Sequence, residues 1–263
     1  MMKKILSTSR IIENRKITDD TFLMKFENRN PDKPLPGQFL NIKFKDHLDP
    51  FLRRPFAVFD FDRKTLSILY KVVGRTTSML SQLQKNDLIE YLGFLGEPFD
   101  RDRTFNKLWV VAGGIGIGGL HLFIKNMKQN NDLELFIGFN TEEEADAFIR
   151  FLKPLHIRIN AAVMDPKGKS KYFKGNIVKL LKKETKRCDT LFACGPELML
   201  KSLYSDIIQK KRIPAYFSMD AIMACGIGSC MGCTIKIKEK GLTRFKRVCK
   251  EGPVFNADHI VWE

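Results

Sequence analysis

Four cysteines near the C-terminal end of the sequence carry its most specific chemistry. Cys225-Gly226-Ile227-Gly228-Ser229-Cys230-Met231-Gly232-Cys233 spells C-x4-C-x2-C, and Cys249 follows after a gap of 15 residues. Plant-type [2Fe–2S] clusters are held at this spacing, because each iron takes two thiolates and a tight loop must wrap the pair of metals. Gly226, Gly228 and Gly232 let such a loop curl closely and turn backbone N–H groups toward sulfur. Cys249 arrives from a separate strand, after a hairpin that turns near Gly241. Zinc is the rival ion, since four thiolates suit it too, although zinc sites more often show two separated C-x2-C knuckles. Four unrelated buried thiols leave the interleaved glycines unexplained.

Two further stretches could hold phosphate or nucleotide. Val111-Ala112-Gly113-Gly114-Ile115-Gly116-Ile117-Gly118 follows an apolar run and opens a helical one, the context of a nucleotide phosphate turn. Its G-G-x-G-x-G pattern departs from the dinucleotide fingerprint G-x-G-x-x-G. Cys194-Gly195-Pro196 ends a later strand and starts a helix, so Cys194 could face a nicotinamide at the carboxyl end of a parallel sheet. In the first hundred residues, Arg53-Arg54-Pro55-Phe56-Ala57 could pair a guanidinium with a pyrophosphate and lay backbone along an isoalloxazine edge. A solvated basic pair is the plainer reading. Gly74-Arg75-Thr76-Thr77 precedes a helix and offers N–H groups and two hydroxyls to a phosphate, or serves as an ordinary N-cap. His47, His121, His156 and His259 are isolated and read as structural or surface residues; Cys188 reads as a small buried hydrophobe.

The elements that must position these residues fall into three segments. Up to about residue 104, short alternating runs (Thr21–Glu27, Gln38–Phe44, Phe56–Phe61, Leu66–Val73, Leu88–Leu92) are separated by turn signals such as Asn30-Pro31-Asp32 and Pro34-Leu35-Pro36-Gly37. They predict a closed antiparallel β-barrel with one inserted helix, Thr76–Leu83. From 105 to 213, strands at Leu108–Ala112, Leu133–Phe139, Ile157–Met164 and Thr190–Cys194 alternate with helices reaching Lys128 and over 142–152, 177–183 and 197–210. This predicts a doubly wound parallel sheet. Residues 214–263 form a small cysteine module of short strands and loops.

Composition sets outer bounds. The 263 residues, 44% hydrophobic and 11% aromatic with 21 Phe, suit a folded protein of two domains and an appendage. The net charge of +15, from 45 basic and 30 acidic residues, is scattered without a long Lys/Arg block, which argues against nucleic acid and leaves an acidic partner as a use for it. The longest uncharged stretch, Leu108–Ile124, is short for a membrane span and broken by glycines. Met1-Met2-Lys3-Lys4-Ile5-Leu6-Ser7-Thr8 lacks the apolar core of a secretory signal, so a cytoplasmic protein with six reduced cysteines is expected.

A barrel with R-x-x-[S/T/A], then G-G-x-G-x, then C-G-P resembles the ferredoxin–NADP reductase superfamily over nearly the whole chain. Met223–Cys233 with Arg247-Val248-Cys249-Lys250-Glu251-Gly252-Pro253-Val254-Phe255 narrows the resemblance to electron-transfer subunits of NAD-linked dihydroorotate dehydrogenases. The resemblance implies a flavoprotein oxidoreductase in pyrimidine biosynthesis that binds FAD, one [2Fe–2S] cluster and NAD(H). By it, Arg54, Pro55, Phe56, Ala57, Leu69, Tyr70, Lys71, Thr76 and Thr77 hold FAD. Gly113, Gly114, Gly116, Gly118, Cys194, Gly195 and Pro196 hold NAD(H), and Cys225, Cys230, Cys233 and Cys249 hold the cluster. The partner implied is an FMN-containing catalytic subunit, in a heterotetramer of two of each, which oxidises dihydroorotate and sends electrons through the cluster and FAD to NAD+.

Ala57 stands where the family commonly has a hydroxyl near flavin N5, Thr76-Thr77 where it has Gly-Thr, and Gly119 near a usual proline. Seven basic residues against Glu239 in Thr234–Lys250 suggest docking of an acidic partner face through Lys246 and Arg247, beside the plainer reading of a solvated hairpin. Two alternatives stand: a related FAD/[2Fe–2S] NAD(P)H–ferredoxin or sulfide oxidoreductase subunit, in which the first ligand is often Asp rather than Cys225, and a zinc-binding four-cysteine redox-sensing regulator.

Overall fold

The alternating runs of the first hundred residues form β1 (Ile5–Lys16), β2 (Thr21–Glu27), β3 (Phe39–Phe44), β4 (Arg54–Ala57), β5 (Asp60–Phe61), β6 (Thr65–Lys71) and β7 (Leu88–Leu95). Helix α1 (Arg75–Gln82) lies between β6 and β7. The computed structural model describes residues 5–44, 49–99 and 105–262; His47, Met1 to Lys4 and the expected boundary at 104 lie outside them. The strands form one antiparallel sheet in the order β4-β3-β7-β1-β2-β6-β5. Its two ends are consecutive pieces of one stretch: Ala57 pairs with Phe39, and two residues later Phe59 N–H donates to Ser67 O at 2.9 Å. Residues 54–61 therefore close the sheet on itself, which removes the exposed edges an open sheet would carry.

The longest strand, β1, has no alternating apolar signature. Its inward residues Ser7 and Ser9 are small hydroxyls, and only Ile11 is a buried aliphatic. Facing positions hold the bulk instead. Phe26 and Tyr91, both fully buried, meet with ring centroids 5.6 Å apart. A pair of this kind contributes about 0.5–1.5 kcal/mol beyond its area.

After residue 105 the chain lays down β8 (Lys107–Gly113), α2 (Ile117–Met127), β9 (Asp132–Phe139), α3 (Glu142–Leu152), β10 (Arg158–Val163) and β11 (Phe173–Lys174). It continues with α4 (Ile177–Lys183), β12 (Thr190–Cys194), α5 (Glu197–Leu203) and β13 (Ala215–Ser218). A π-helical turn, Tyr204–Ile208, and Gln209–Lys211 prolong α5. The strands pair in parallel in the order β11-β10-β9-β8-β12-β13, with a late strand, Val254–Asn256, beyond β13. Leu108, Val110, Val111 and Ala112 of β8 are wholly buried, as a strand covered on both faces requires. The stretch after Ala215, which reads as module in the sequence, thus begins with one more strand of this sheet.

The cysteine segment supplies β14 (Thr234–Glu239), β15 (Leu242–Arg247) and β16 (Val254–Asn256). β14 and β15 form the hairpin, turning at Lys240-Gly241, both with positive φ. Two compact units result: residues 1–99 with 220–254, and residues 100–219 with 255–263. The cysteines belong to the unit that contains the barrel.

One side chain ties the barrel to its helix. Asn14 Nδ2 donates to Leu80 O and Leu83 O, both at 2.9 Å, and Asn14 Oδ1 accepts from the Tyr70 hydroxyl at 3.0 Å. Burial pushes Tyr70 up to about 12, only partly offset by Asn14, so the phenol stays a neutral donor. Asn14→Ala leaves these groups unpaired; we expect a loss of about 1–3 kcal/mol, read as a fall in Tm and in the urea midpoint without a change of m-value.

Candidate functional site: a two-pair thiol loop on the flavin-type barrel

Backbone N–H···S hydrogen bonds tie the four cysteines in two pairs. Cys230 N–H donates to Cys225 Sγ at 3.4 Å, and Cys249 N–H donates to Cys233 Sγ at the same distance. One zinc ion asks for four donors around one point. Two irons with two thiolates each ask for two pairs, which is the arrangement present, so the donor set fits a [2Fe–2S] cluster.

Burial divides the pairs: Cys233 and Cys249 are buried, Cys225 is half-buried and Cys230 exposed. Burial pushes the Cys225 thiol up, but N–H groups of Ile227, Cys230 and Ser229 outweigh it and bring it down to about 6. Burial, with the neighbouring Cys233, pushes Cys249 up to about 12. The backbone amides thus already favour a thiolate at the first ligand position.

The loop is braced from its own hairpin. Arg247 donates through Nη1 to Gly228 O and through Nε to Glu251 Oε2 at 3.1 Å, while its Nη2 pairs with Glu251 Oε1. Glu251 Oε2 also accepts from Arg247 N–H at 2.7 Å, and the guanidinium holds the Glu251 carboxyl below the ordinary carboxylate range. Lys246 pairs with Glu239 across the hairpin at 3.4 Å. Both residues expected to dock a partner are therefore engaged inside the module. Lys238, Lys240, Arg244 and Lys250 remain exposed, beside exposed Leu242, Phe245, Ile227 and Met231.

The barrel brings the residues expected at FAD together on neighbouring strands. All four residues of β4, Arg54 to Ala57, are partly exposed along its length. Phe56 meets Tyr70 of β6 edge-on at 6.0 Å, which places Arg54–Ala57 beside Leu69–Lys71. Leu69 and Tyr70 are buried, and Lys71 is paired with Asp20 at 2.9 Å. The two arginines differ, and only Arg54 keeps the exposed setting expected of a solvated pair. Arg53 is bound to Glu90 of β7, and Arg54 Nη1 donates to Leu52 O at 2.8 Å. The Thr77 hydroxyl accepts from Val73 N–H at 2.9 Å and donates to Gly74 O at 3.0 Å. It caps the turn, leaving Thr76 and the first N–H groups of α1 at the helix N-terminus.

In the other unit, the two turns expected at a nicotinamide nucleotide are in contact. Cys194 is in register with Ala112, so both turns leave the carboxyl ends of adjacent strands. The chain winds outward from β8 through β9 and β10 on one side and from β12 to β13 on the other. The point between β8 and β12 is the topological switch, where open α/β sheets form a ligand crevice. A Cβ on Gly116 would sit 2.2 Å from Cys194 O, so only glycine permits this approach of backbone to backbone. Gly113 and Gly114 lie in the same turn, Gly118 is buried in α2, and Gly195 and Pro196 pack onto the Gly113 end. His121 is buried on α2, His156 closes the turn after α3, and His259 is exposed.

Comparison with known proteins places this architecture. The family described as the iron–sulfur cluster binding domain of dihydroorotate dehydrogenase B matches residues 220–261. The electron transfer subunit of dihydroorotate dehydrogenase B (NAD(+)) of Caldanaerobacter subterraneus is 34% identical over 254 residues, 97% of this chain and 98% of the relative. That of Clostridium acetobutylicum is 33% identical over 99% of each. The chain belongs to this family. Among solved structures, a chain of an NADH-dependent reduced ferredoxin–NADP oxidoreductase aligns with a TM-score of 0.84 at 26% identity, over 97% of this chain and 90% of that one. A Neisseria gonorrhoeae ferredoxin NADP+ reductase, with bound FAD and NADP, aligns at 0.66 and 18% identity over 78% and 91%. The fold is therefore that of the ferredoxin–NADP reductases with a C-terminal iron–sulfur binding segment, as the motif order predicts.

Sequence reasoning missed the Arg247–Glu251 brace, because a hairpin rich in lysine and arginine reads as surface charge. It also missed Asn41, whose setting in Phe39-Leu40-Asn41-Ile42 carries no signal beyond a polar residue inside an apolar strand. Arg247→Met is expected to loosen the loop and lower iron per chain at least two-fold, measured by metal analysis of anaerobically purified protein at unchanged chain folding. Gly116→Ala is expected to cost about 1–3 kcal/mol through overpacking, measured by denaturant unfolding, with iron content unaffected.

Proposed function

We propose that this chain is the electron-transfer subunit that couples oxidation of dihydroorotate, on a separate FMN-bearing catalytic subunit, to reduction of NAD+ in pyrimidine biosynthesis. The observation that carries this is the pair of thiol pairs on a loop belonging to the same compact unit as the flavin-type barrel, in a chain 34% identical to named subunits of that complex. When bound, a [2Fe–2S] cluster supplies one-electron transfer, and FAD joins one-electron donors to the two-electron chemistry of NAD(H).

The residues divide the work by position. Cys225, Cys230, Cys233 and Cys249 hold the cluster, Arg247 and Glu251 keep its loop closed, and the exposed Cys230 edge faces the partner. Arg54 meets the FAD pyrophosphate together with Thr76 and the start of α1, while Pro55 to Ala57 and Leu69 to Lys71 border the flavin. Ala57 has no hydroxyl for flavin N5, so that contact comes from backbone or is absent. Gly113 to Gly118 receive the nicotinamide nucleotide phosphates, and Cys194 to Pro196 border its ring. By this assignment the barrel is the FAD domain, the parallel-sheet unit, which takes in β13 and residues 255–263, is the nicotinamide domain, and residues 220–254 are the cluster module.

The partner surface is the apolar rim of Ile227, Met231 and Phe245 with exposed Lys238, Arg244 and Lys250, in a complex of two subunits of each kind in the cytoplasm. No helix among the described residues is long and apolar enough to cross a membrane.

A second reading draws on the 0.84 TM-score: a subunit of a FAD/[2Fe–2S] NAD(P)H–ferredoxin oxidoreductase. Anaerobic absorption spectra of the chain, alone and with its catalytic partner, separate the readings. Flavin bands and a thiolate–iron shoulder bleached by NADH, and in the complex also by dihydroorotate, are expected. Bleaching by NADH and reduced ferredoxin but not by dihydroorotate favours the second reading. A colourless, zinc-containing chain overturns both. Phe245→Glu is expected to weaken complex assembly at least ten-fold in sedimentation while leaving the spectrum of the chain intact.

A further inference from the structure

Asn41 is a buried polar residue without a use in the fold. It lies on β3, is 0% exposed, and neither its Oδ1 nor its Nδ2 has a hydrogen-bond partner among the described residues. A buried amide is paired in the great majority of cases, and an orphan calls for a group that completes it. Its surroundings say where that group lies. The side-chain nitrogen reaches the cluster loop: a Cβ built on Gly226, at φ +68°, would sit 2.2 Å from Asn41 Nδ2 and 3.5 Å from Leu95 Cδ1. Gly226 follows the first cluster cysteine, and Asn41 is in register with Pro55 on the flavin-type strand β4. The amide therefore stands under the loop that carries Cys225 and Cys230, inside the unit that holds both sites.

The chemistry of the loop selects the interaction. Thiolates and inorganic sulfides are acceptors and offer no donor, so an amide aimed at them presents its N–H. Hydrogen bonds to cluster sulfurs stabilise the added negative charge of the reduced state and raise the reduction potential. We infer that Asn41, which is bonded to none of the four cysteine sulfurs, donates a hydrogen bond to an inorganic sulfide of the [2Fe–2S] site beside Gly226 and sets the cluster potential upward, a role beyond the ligands themselves. This rests on the reading of the four cysteines as cluster ligands.

The test is an EPR-monitored redox titration of the holo-complex, wild type against Asn41→Leu, which keeps a similar volume and removes the donor. The wild-type spectrum alone decides whether a cluster is present. Given one, the expected result is an intact cluster in the variant with a midpoint shifted to more negative potential and an unmoved flavin midpoint. An unchanged cluster midpoint, or a shift of the flavin midpoint alone, overturns the inference. Asn41→Ala, smaller and also without the donor, guards against misfolding of the first variant. A negative shift of the cluster midpoint with FAD retained supports the role, whereas an unshifted midpoint or loss of the cluster overturns it.

Discussion

Four thiols must meet in two pairs, and the segment that bears them is too short to build a core that could hold them there. Residues 220–233 have no regular secondary structure, and the hairpin after them is exposed along most of β15. The loop is held by what it leans on. Arg247, held by Glu251, grips the Gly228 carbonyl from one side, and Gly226 rests on Asn41 and Leu95 of the barrel from the other. Backbone N–H groups gathered around Cys225 depend on this seating, and so does the separation into an exposed and a buried pair. A protein that must order a loop pays its conformational entropy, about 1–2 kcal/mol per residue, and here the barrel and the brace supply the compensating contacts.

The barrel can act as that platform because it closes. With residues 54–61 pairing to β3 at one end and β6 at the other, the two ends of the sheet are joined, and its interior is filled by Phe26, Tyr91 and Leu40. The same closure brings β4 next to β6, so the residues assigned to FAD meet although they lie far apart in the chain. In the second unit the work is done by topology. Strand order reverses between β8 and β12, and the two glycine turns that follow them interlock so tightly that Gly116 has no room for a side chain. Rigid elements thus present irregular turns in both units, the usual division between scaffold and chemistry.

Much of this was legible in the residues. The four cysteines proposed as cluster ligands stand out by spacing, because iron–sulfur coordination constrains local sequence. Strands β2 and β12 and helices α3 and α4 match their expected bounds, since apolar periodicity and caps are local signals. β1 was illegible because its inward positions are serines that gain burial only from opposite strands. The hydroxyls of Thr76 and Thr77 looked equivalent, and only the folded turn shows that Thr77 is committed to capping.

The sequence by itself determined the four-cysteine motif, the order barrel, parallel sheet, cysteine segment, and the two glycine turns, because each is written in neighbouring residues. Tertiary structure alone decided that the thiols divide into pairs, that Lys246 and Arg247 are engaged within their own module, and that Asn41 lies unpaired beneath Gly226. Those are contacts between residues far apart in the chain, such as Asn41 and Gly226. Nothing in the local pattern of either partner encodes them; they exist only once the barrel has closed and the loop has settled on it.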